Sequence, residues 1–350
     1  MFRKYRWDCI IPPDRIGVQD VTTADRAPAG TARVRTHCVT AEEAGQRLDN
    51  FLMRCWRGLP RTRVYRLIRR GEVRVNRGRS RPDYRLQAGD LVRLPPVRLS
   101  PQTHQAHPNA SLESRILHED ARLLVLDKPA GLAVHGGSGV RQGVIETLRA
   151  NRPGEPFLEL VHRLDRETSG CLLVARRRSE LRRLHALLRT GRIEKAYLAL
   201  VVGQWQGGAR WIEAPLARNR LQGGERVVRV DPAGRPARSL FEPIARCEGY
   251  TLMRVTLDTG RTHQIRVHAA HAGHPLAGDE KYGDREANRR LREAGLRRLF
   301  LHAHRLAFDR ADGGRLLVEA PLDPALEKVL VHLGCERHRT DEDTTGKHGS

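Results

Sequence analysis

Lysine is nearly absent: only positions 4, 128, 195, 281, 328 and 347 carry it among 63 basic residues, and the rest are arginine. So strong a skew reads as a compositional bias of the genome before it reads as arginine chemistry. Cysteine is also scarce, with six residues at 9, 38, 55, 171, 247 and 335. None is spaced from another as in a zinc module, and 350 residues can bury a core without disulfide staples. All six are therefore expected to be small buried hydrophobes in a reducing compartment, which predicts a cytoplasmic chain. No apolar run approaches the roughly 18 residues of a membrane span. The basic N-terminus holds only the short Cys9-Ile10-Ile11 patch, so neither export nor membrane insertion is expected. What remains is a length suited to about two domains and a formal charge of +22, with 39% hydrophobic residues in patterned runs. The pattern excludes disorder for the bulk of the chain. The excess of positive charge calls for a polyanionic partner, nucleic acid before an anionic membrane surface.

Residues 1–35 show no sustained periodicity and contain Pro12, Pro13, Pro28 and Gly30, which predicts an N-terminal extension. From there a small α+β unit is expected over 36–96. Leu48, Phe51, Leu52, Cys55 and Trp56 share one helical face, Pro60 breaks that helix, and Thr62 is placed to cap a second with Val64, Leu67 and Ile68 inward and Gly71 at its end. Val73 and Val75 alternate with Arg74, and Leu91, Val92 and Leu94 follow a Gly89-Asp90 turn. The proline-bearing stretch 97–114 reads as a linker, 115–335 as a second domain, and 336–350 as a polar tail. Strands are expected at 122–127, 158–164, 171–177, 197–202, 238–245, 250–257 and 316–319, with Pro243 marking a sheet edge or a bulge. Helices are expected at 179–192, 262–272 and 324–333. Many strands with few long helices between them give an α+β class with a mixed, mainly antiparallel sheet.

Three clusters could carry function. Between residues 61 and 81 stand nine arginines, 61, 63, 66, 69, 70, 74, 77, 79 and 81, with Glu72 as the one acid. Arg63, Arg66 and Arg70 recur on the face opposite Val64, Leu67 and Ile68, where guanidinium groups can meet phosphate oxygens. A solvated face is the plain alternative, but one carboxylate cannot neutralise so many cations. The second cluster runs from Val161 through His162, Arg163, Leu164 and Asp165 to Gly170. A carboxylate flanked by Arg163 and Arg166 stays ionised at neutral pH, which suits a nucleophile or base and not a general acid. Read from this segment alone, Asp165 is an ordinary turn residue more often than a catalytic one. A Ser169/His162/Asp165 triad is the weaker alternative, since no Gly-x-Ser-x-Gly elbow is present. The third cluster is Thr259 to His268. Histidines 268, 271 and 274 invite a metal reading, but no cysteine is near and Pro275 biases His274 away from helix, so no metal is expected.

The segment 44–96, with its helix–Pro60–helix–Gly71–Glu72–Val73–Arg74–Val75–Asn76 order and Ala88-Gly89-Asp90-Leu91-Val92, resembles the S4 RNA-binding domain. Lys128-Pro129-Ala130-Gly131, His162 to Asp165 with Thr168-Ser169-Gly170, Lys195-Ala196-Tyr197, Gly260 to His268, and Gly278-Asp279 with Tyr282-Gly283 resemble the ordered motifs of the RluA/RluC/RluD-type pseudouridine synthases. Within that family the S4 domain in front, the 134–139 run and Leu160 to Asp165 point to the large-subunit rRNA branch. The resemblance implies isomerisation of a uridine inside RNA, with no cofactor and no metal. It implies Asp165 as the catalytic aspartate, Arg266 as its partner, and Tyr197 against the target base. It also implies Arg163 in the gap left by the flipped uridine, and His162 with the Thr168-Ser169-Gly170 turn as supports. RNA, 23S rRNA or a large-subunit precursor, is the implied partner of a monomer. The family's usual hairpin tip is replaced by Asp309-Arg310-Ala311-Asp312-Gly313-Gly314. Two other classes compete: an S4-type assembly factor without catalysis, whose function would survive loss of Asp165, and a carboxylate hydrolase of small anions, which would work without RNA.

Overall fold

The computed structural model describes residues 34–41, 43–56, 59–97, 108–136, 142–220 and 226–337, and the chain divides into two units, residues 1–101 and 102–350. The expected extension up to residue 33, the middle of the linker (98–107), the tail from 338, Cys9 and residues 137–139 lie outside the described residues.

The first unit contains β1 (Arg35–Cys38), α1 (Leu48–Cys55), α2 (Arg61–Arg69), β2 (Arg74–Val75) and β3 (Leu91–Leu94). Its strands form an antiparallel sheet in the order β1-β3-β2. The apolar faces of both helices meet: Leu48, Phe51, Leu52 and Trp56 pack with Val64, Leu67 and Ile68, while Val73, Val75 and Val92 come from the sheet side. Cys55 departs from the helical pattern and is exposed. Pro60, not Thr62, caps α2, because its carbonyl accepts the first amides, from Arg63 and Val64. Proline's fixed φ suits that entry position. Gly71 ends the helix at φ +70, its N–H on the Ile68 carbonyl and that of Glu72 on Leu67. Asp49, fully buried, ties the two helices by accepting from the Tyr65 hydroxyl at 2.7 Å.

The second unit runs α3 (Ala110–Glu113), β4 (Ile116–Glu119), β5 (Leu123–Lys128), α4 (Val144–Asn151), β6 (Glu159–Leu160), β7 (Ser169–Ala175), α5 (Arg178–Arg189), β8 (Glu194–Val202), β9 (Arg210–Glu213), β10 (Leu216–Arg220) and β11 (Arg226–Val230). It continues with β12 (Arg238–Cys247), β13 (Tyr250–Leu257), α6 (Gln264–His271), α7 (Arg285–Glu293), β14 (Leu301–Asp309), β15 (Arg315–Glu319), α8 (Pro324–His332) and β16 (Glu336–Arg337). The main sheet is ordered β16-β12-β13-β8-β14-β7-β5-β4, with β15, β6 and β9 added to β14, β7 and β12, and β10-β11 form a separate hairpin. Among the described residues only β14 and β7 pair in parallel. The fold is thus α+β with a mixed, mainly antiparallel sheet. Pro243 has no amide to give the ladder, and the register slips between it and Ala245, a bulge inside β12. Both sheet faces are covered. On β7, Leu172 and Val174 enter one core, while Cys171, Leu173 and Ala175 enter another beside Leu184 of α5.

Several expectations need correction. The strand expected over 158–164 lasts only for Glu159–Leu160, after which the chain leaves the sheet. The unexpected β14 lies at the centre. β1 starts at Arg35, inside the expected extension, and α3 lies inside the expected linker, tied to α4 by Asn151 Nδ2 on the Asn109 carbonyl. The six cysteines are not all unpaired and buried. Cys247 and Cys335 form a disulfide, because the end of α8 folds back onto β12, and Cys38 and Cys55 are exposed.

Candidate active site

The loop that carries Asp165 is fixed from below by a buried lysine. Lys128, at the end of β5, is fully buried, and its Nζ donates to the carbonyls of Pro129, Leu132 and Arg166 at 2.7, 2.9 and 3.0 Å. Burial lowers its pKa to about 7, yet three acceptors match the three N–H bonds of the charged form. The same two loops clasp each other twice, Gly131 N–H to the Arg166 carbonyl and Arg166 Nε to the Gly131 carbonyl, both at 2.9 Å. Leu164 is buried beneath, and the Asp165 carbonyl accepts from Thr168 N–H. Gly170 follows at φ +103, where a Cβ would run into the Ala303 carbonyl of β14. Only glycine lets β7 and β14 approach so closely here.

Asp165 sits 18% exposed at a cavity of about 940 Å³, with Arg163, Lys195, Tyr197, His263 and Arg266 also on its walls. Two side chains from the start of α6 face its Oδ2: Arg266 at 3.6 Å and His263 Nε2 at 3.8 Å. Neither is at hydrogen-bond distance, and Oδ1 has no hydrogen-bond partner among the described residues. Arg266 is held mainly by another carboxylate. Its Nε and second guanidinium nitrogen each donate at 2.7 Å to the fully buried side chain of Asp279, and it lies 5.0 Å above the Tyr282 ring. Burial works against the charge on both partners, and the pairing more than offsets it: the pKa of Asp279 falls and that of Arg266 rises. The expected Asp165–Arg266 partnership is therefore looser than the Arg266–Asp279 one.

Tyr197 comes from β8 and is 7% exposed; burial, then the charge of Asp165, raises its pKa, so the phenol is neutral. His162 Nε2 accepts the Leu173 N–H at 3.0 Å, and burial drops its pKa to about 4. It is a neutral brace between loop and sheet. Ser169 is spent elsewhere: its Oγ lies 2.9 Å from His302 Nδ1 and receives Arg298 at 2.6 Å. The Ser169/His162/Asp165 triad is thereby excluded. Arg163 is exposed on the cavity wall. His268 bonds Ser239 and the Ala214 carbonyl while His274 bonds the Val202 carbonyl, and no metal-binding cluster exists among the described residues.

In the first unit, Arg61, Arg63, Arg66, Arg69, Arg70, Arg74, Arg77 and Arg79 are all exposed. Arg61 reaches Asp49 at 3.9 Å, and Arg74 donates to the Gly71 and Arg77 carbonyls. Among the described residues no carboxylate pairs with the other six. They present uncompensated charge along α2 and the turn after β2, where Asn76 and Arg77 take positive φ. No helix among the described residues is long and apolar enough to cross a membrane.

Asp279, Tyr282, His263 and Lys128 carry no role that the sequence alone points to, though all four fall inside the family-like motifs. The available signal was the pair of glycines around Asp279. A Cβ at Gly278 would strike the Arg298 carbonyl and one at Gly283 the Asp279 carbonyl, so the turn is built to bury that carboxylate.

Comparison with known proteins follows the same two units. Residues 122–271 match the RNA pseudouridylate synthase family and residues 46–92 the S4 domain. The chain is 53% identical over 311 residues to ribosomal large subunit pseudouridine synthase C of Escherichia coli (strain K12), covering 87% of this chain and 98% of that one. It is 51% identical over 306 residues to the Pasteurella multocida (strain Pm70) protein of the same name, covering 86% and 94%. Among solved structures, human RNA pseudouridylate synthase domain containing 4 aligns with a TM-score of 0.55 and 26% identity over 65% of this chain and 95% of that one. Human RNA pseudouridylate synthase domain containing 1 aligns at 0.54 and 25%, over 65% and 91%.

Proposed function

The chain belongs to the RNA pseudouridylate synthases, in the branch of the ribosomal large subunit synthase C, and from that premise we propose that it converts specific uridines of 23S rRNA to pseudouridine, with Asp165 as the essential carboxylate. The reaction breaks the N1–C1′ bond, turns the uracil and joins C5 to C1′. The C5 proton is lost and N1 gains one, so nothing is oxidised and no group is donated.

The observation that carries the residue assignment is the asymmetry at Asp165, which lines the cavity: both cationic neighbours approach Oδ2, and Oδ1 has no hydrogen-bond partner among the described residues. The unpartnered oxygen can attack the ribose or take its proton. Tyr197, neutral and lining the cavity, offers an aromatic face to the detached base and a hydroxyl near C5. Arg163, a planar cation without a carboxylate partner among the described residues, can stack where the uridine has left its helix. The first unit's arginines grip RNA phosphates. An rRNA substrate supports a cytoplasmic site of action.

The test is a pseudouridine map of rRNA from cells lacking the gene, complemented with wild type or Asp165→Asn. Specific marks in 23S rRNA should vanish and return only with wild type. Restoration by Asp165→Asn would remove Asp165 from the chemistry, and an unchanged map would remove 23S rRNA as the substrate.

A further inference from the structure

His263 adopts φ 54 and ψ 21, a left-handed conformation, at the entrance of α6. Non-glycine residues rarely hold it, and such strain tends to persist where a side chain must be aimed. Here the imidazole is aimed twice. Its Nε2 faces Oδ2 of Asp165, and its Nδ1 lies 2.8 Å from the Tyr282 hydroxyl. That hydroxyl oxygen already accepts the backbone N–H of Val228, on β11, at 2.9 Å.

The proton positions follow from the donor inventory. With the Tyr282 oxygen accepting from Val228, the phenol proton is free to go to His263 Nδ1, which must then be an acceptor. The imidazole proton accordingly sits on Nε2, pointing at the Asp165 carboxylate. The opposite tautomer would leave the phenol proton without an acceptor and turn a lone pair toward a carboxylate. The doubly protonated form is opposed first by burial and then by Arg266 and Lys281, and together these lower the His263 pKa despite the pull of Asp165 and Asp279.

We propose that His263 is a positioning residue for the isomerisation: Tyr282 fixes its tautomer, and the resulting Nε2–H holds Oδ2 of Asp165 so that Oδ1 is presented to the ribose. The 3.8 Å approach closes to a hydrogen bond when the uridine displaces water from the cavity. Because Val228 belongs to the β10-β11 hairpin, whose Arg218 also donates to Thr262 at 2.6 Å, seating of that hairpin on α6 is coupled to the aim of the catalytic carboxylate. The inference rests on the functional reading above and adds to it a residue pair that aims Asp165.

The test uses the full chain, with Tyr282→Phe, His263→Gln and His263→Ala. Tyr282→Phe retains the ring beneath Arg266, and a thermal melt checks that the variant is folded. Single-turnover rates at saturating RNA should fall about ten-fold for Tyr282→Phe, the worth of one hydrogen bond, with KM changed by less than about two-fold. His263→Gln keeps an N–H near the ε position and should retain more rate than His263→Ala. Nitrogen-15 spectra of the histidines, with His263 assigned by its disappearance in His263→Gln, should show Nε2 protonated in wild type and the tautomer released in Tyr282→Phe. A wild-type rate in Tyr282→Phe, or a wild-type imidazole protonated on Nδ1, overturns the proposal. A wild-type enzyme that forms no pseudouridine in rRNA overturns instead the functional reading, while the tautomer measurement still decides the Tyr282–His263 pair.

Discussion

Arg266 meets Asp279 through two hydrogen bonds of 2.7 Å but stands 3.6 Å from Asp165. The buried carboxylate carries the cost of desolvating the guanidinium and leaves its third nitrogen free to face Asp165. Removing it strands a buried cation. Asp279→Asn should destabilise the protein by about 3 kcal/mol or more, read from denaturant unfolding, and should lower turnover because Arg266 loses its anchor. Unchanged stability would mean that Arg266 is satisfied elsewhere.

The parts of the fold that were legible in sequence are those whose signal is local. The two helix faces of the first unit, the Gly71 stop and the Pro243 bulge all follow from periodicity or from one residue's backbone chemistry. What escaped was non-local. β14, Leu301–Asp309, pairs in parallel with β7 and is buried along most of its length, so it shows no clean alternation. α7 buries only Ala287, Asn288 and Leu291 on an otherwise charged helix, too narrow a stripe to stand out. The segment after Leu160 has strand composition but leaves the sheet, because Lys128 and Gly131 hold its backbone in the loop that carries Asp165. At a functional loop, local propensity is overridden by the site. The Asp279–Arg266 and Tyr282–His263 pairs were invisible as pairs because each joins residues 13 or 19 positions apart through a turn.

His302 is 1% exposed, between Ser169 Oγ and the Ala320 carbonyl, and burial depresses its pKa to about 4. Between pH 6.5 and 4 the unfolded chain takes up a proton that the native His302 refuses, so stability is lost as pH falls through that window. The loss should reach on the order of 3 kcal/mol for this group. His162, depressed likewise, adds to it. The Asp279 pair, whose carboxylate pKa is lowered, fails only at more acid pH. Unfolding curves from pH 7 to 4 should show the slope, and His302→Gln, which cannot protonate, should flatten it. An equal slope in that variant would assign the acid sensitivity to other groups.

Tyr197 is pushed above the ordinary tyrosine pKa by burial and by Asp165. Its hydroxyl has no hydrogen-bond partner among the described residues, and the raised pKa keeps the phenol neutral, so a role for Tyr197 in turnover would be that of a neutral group. The rate of a single turnover should therefore not climb between about pH 8 and 10, as it would if a phenolate near the ordinary pKa were required. Tyr197→Phe keeps the buried ring and should fold, with turnover reduced about a hundred-fold. A rate rising ten-fold per pH unit toward 10 would show that the phenolate is the working form.

Arg63 and Arg66 on α2 and Arg70 at its C-terminal cap are exposed and have no carboxylate partner among the described residues, so their charge is available to phosphate. Each phosphate neutralised releases counterions and steepens the salt dependence of binding by about 0.7 to 0.9 in log–log slope. For roughly half a dozen contacts the wild type should show a slope near −5. Replacing the three arginines by glutamine should flatten it by about 2 to 3, with the thermal melt unchanged, because none of them holds the fold together. The measurement is RNA binding by full-length wild type and variant across about 50 to 200 mM salt. A weaker Kd with an unchanged slope would mean the loss is not electrostatic. An unchanged Kd and slope would remove this helix from the RNA interface and leave the rim of the cavity at Asp165 as the place where the phosphates are held.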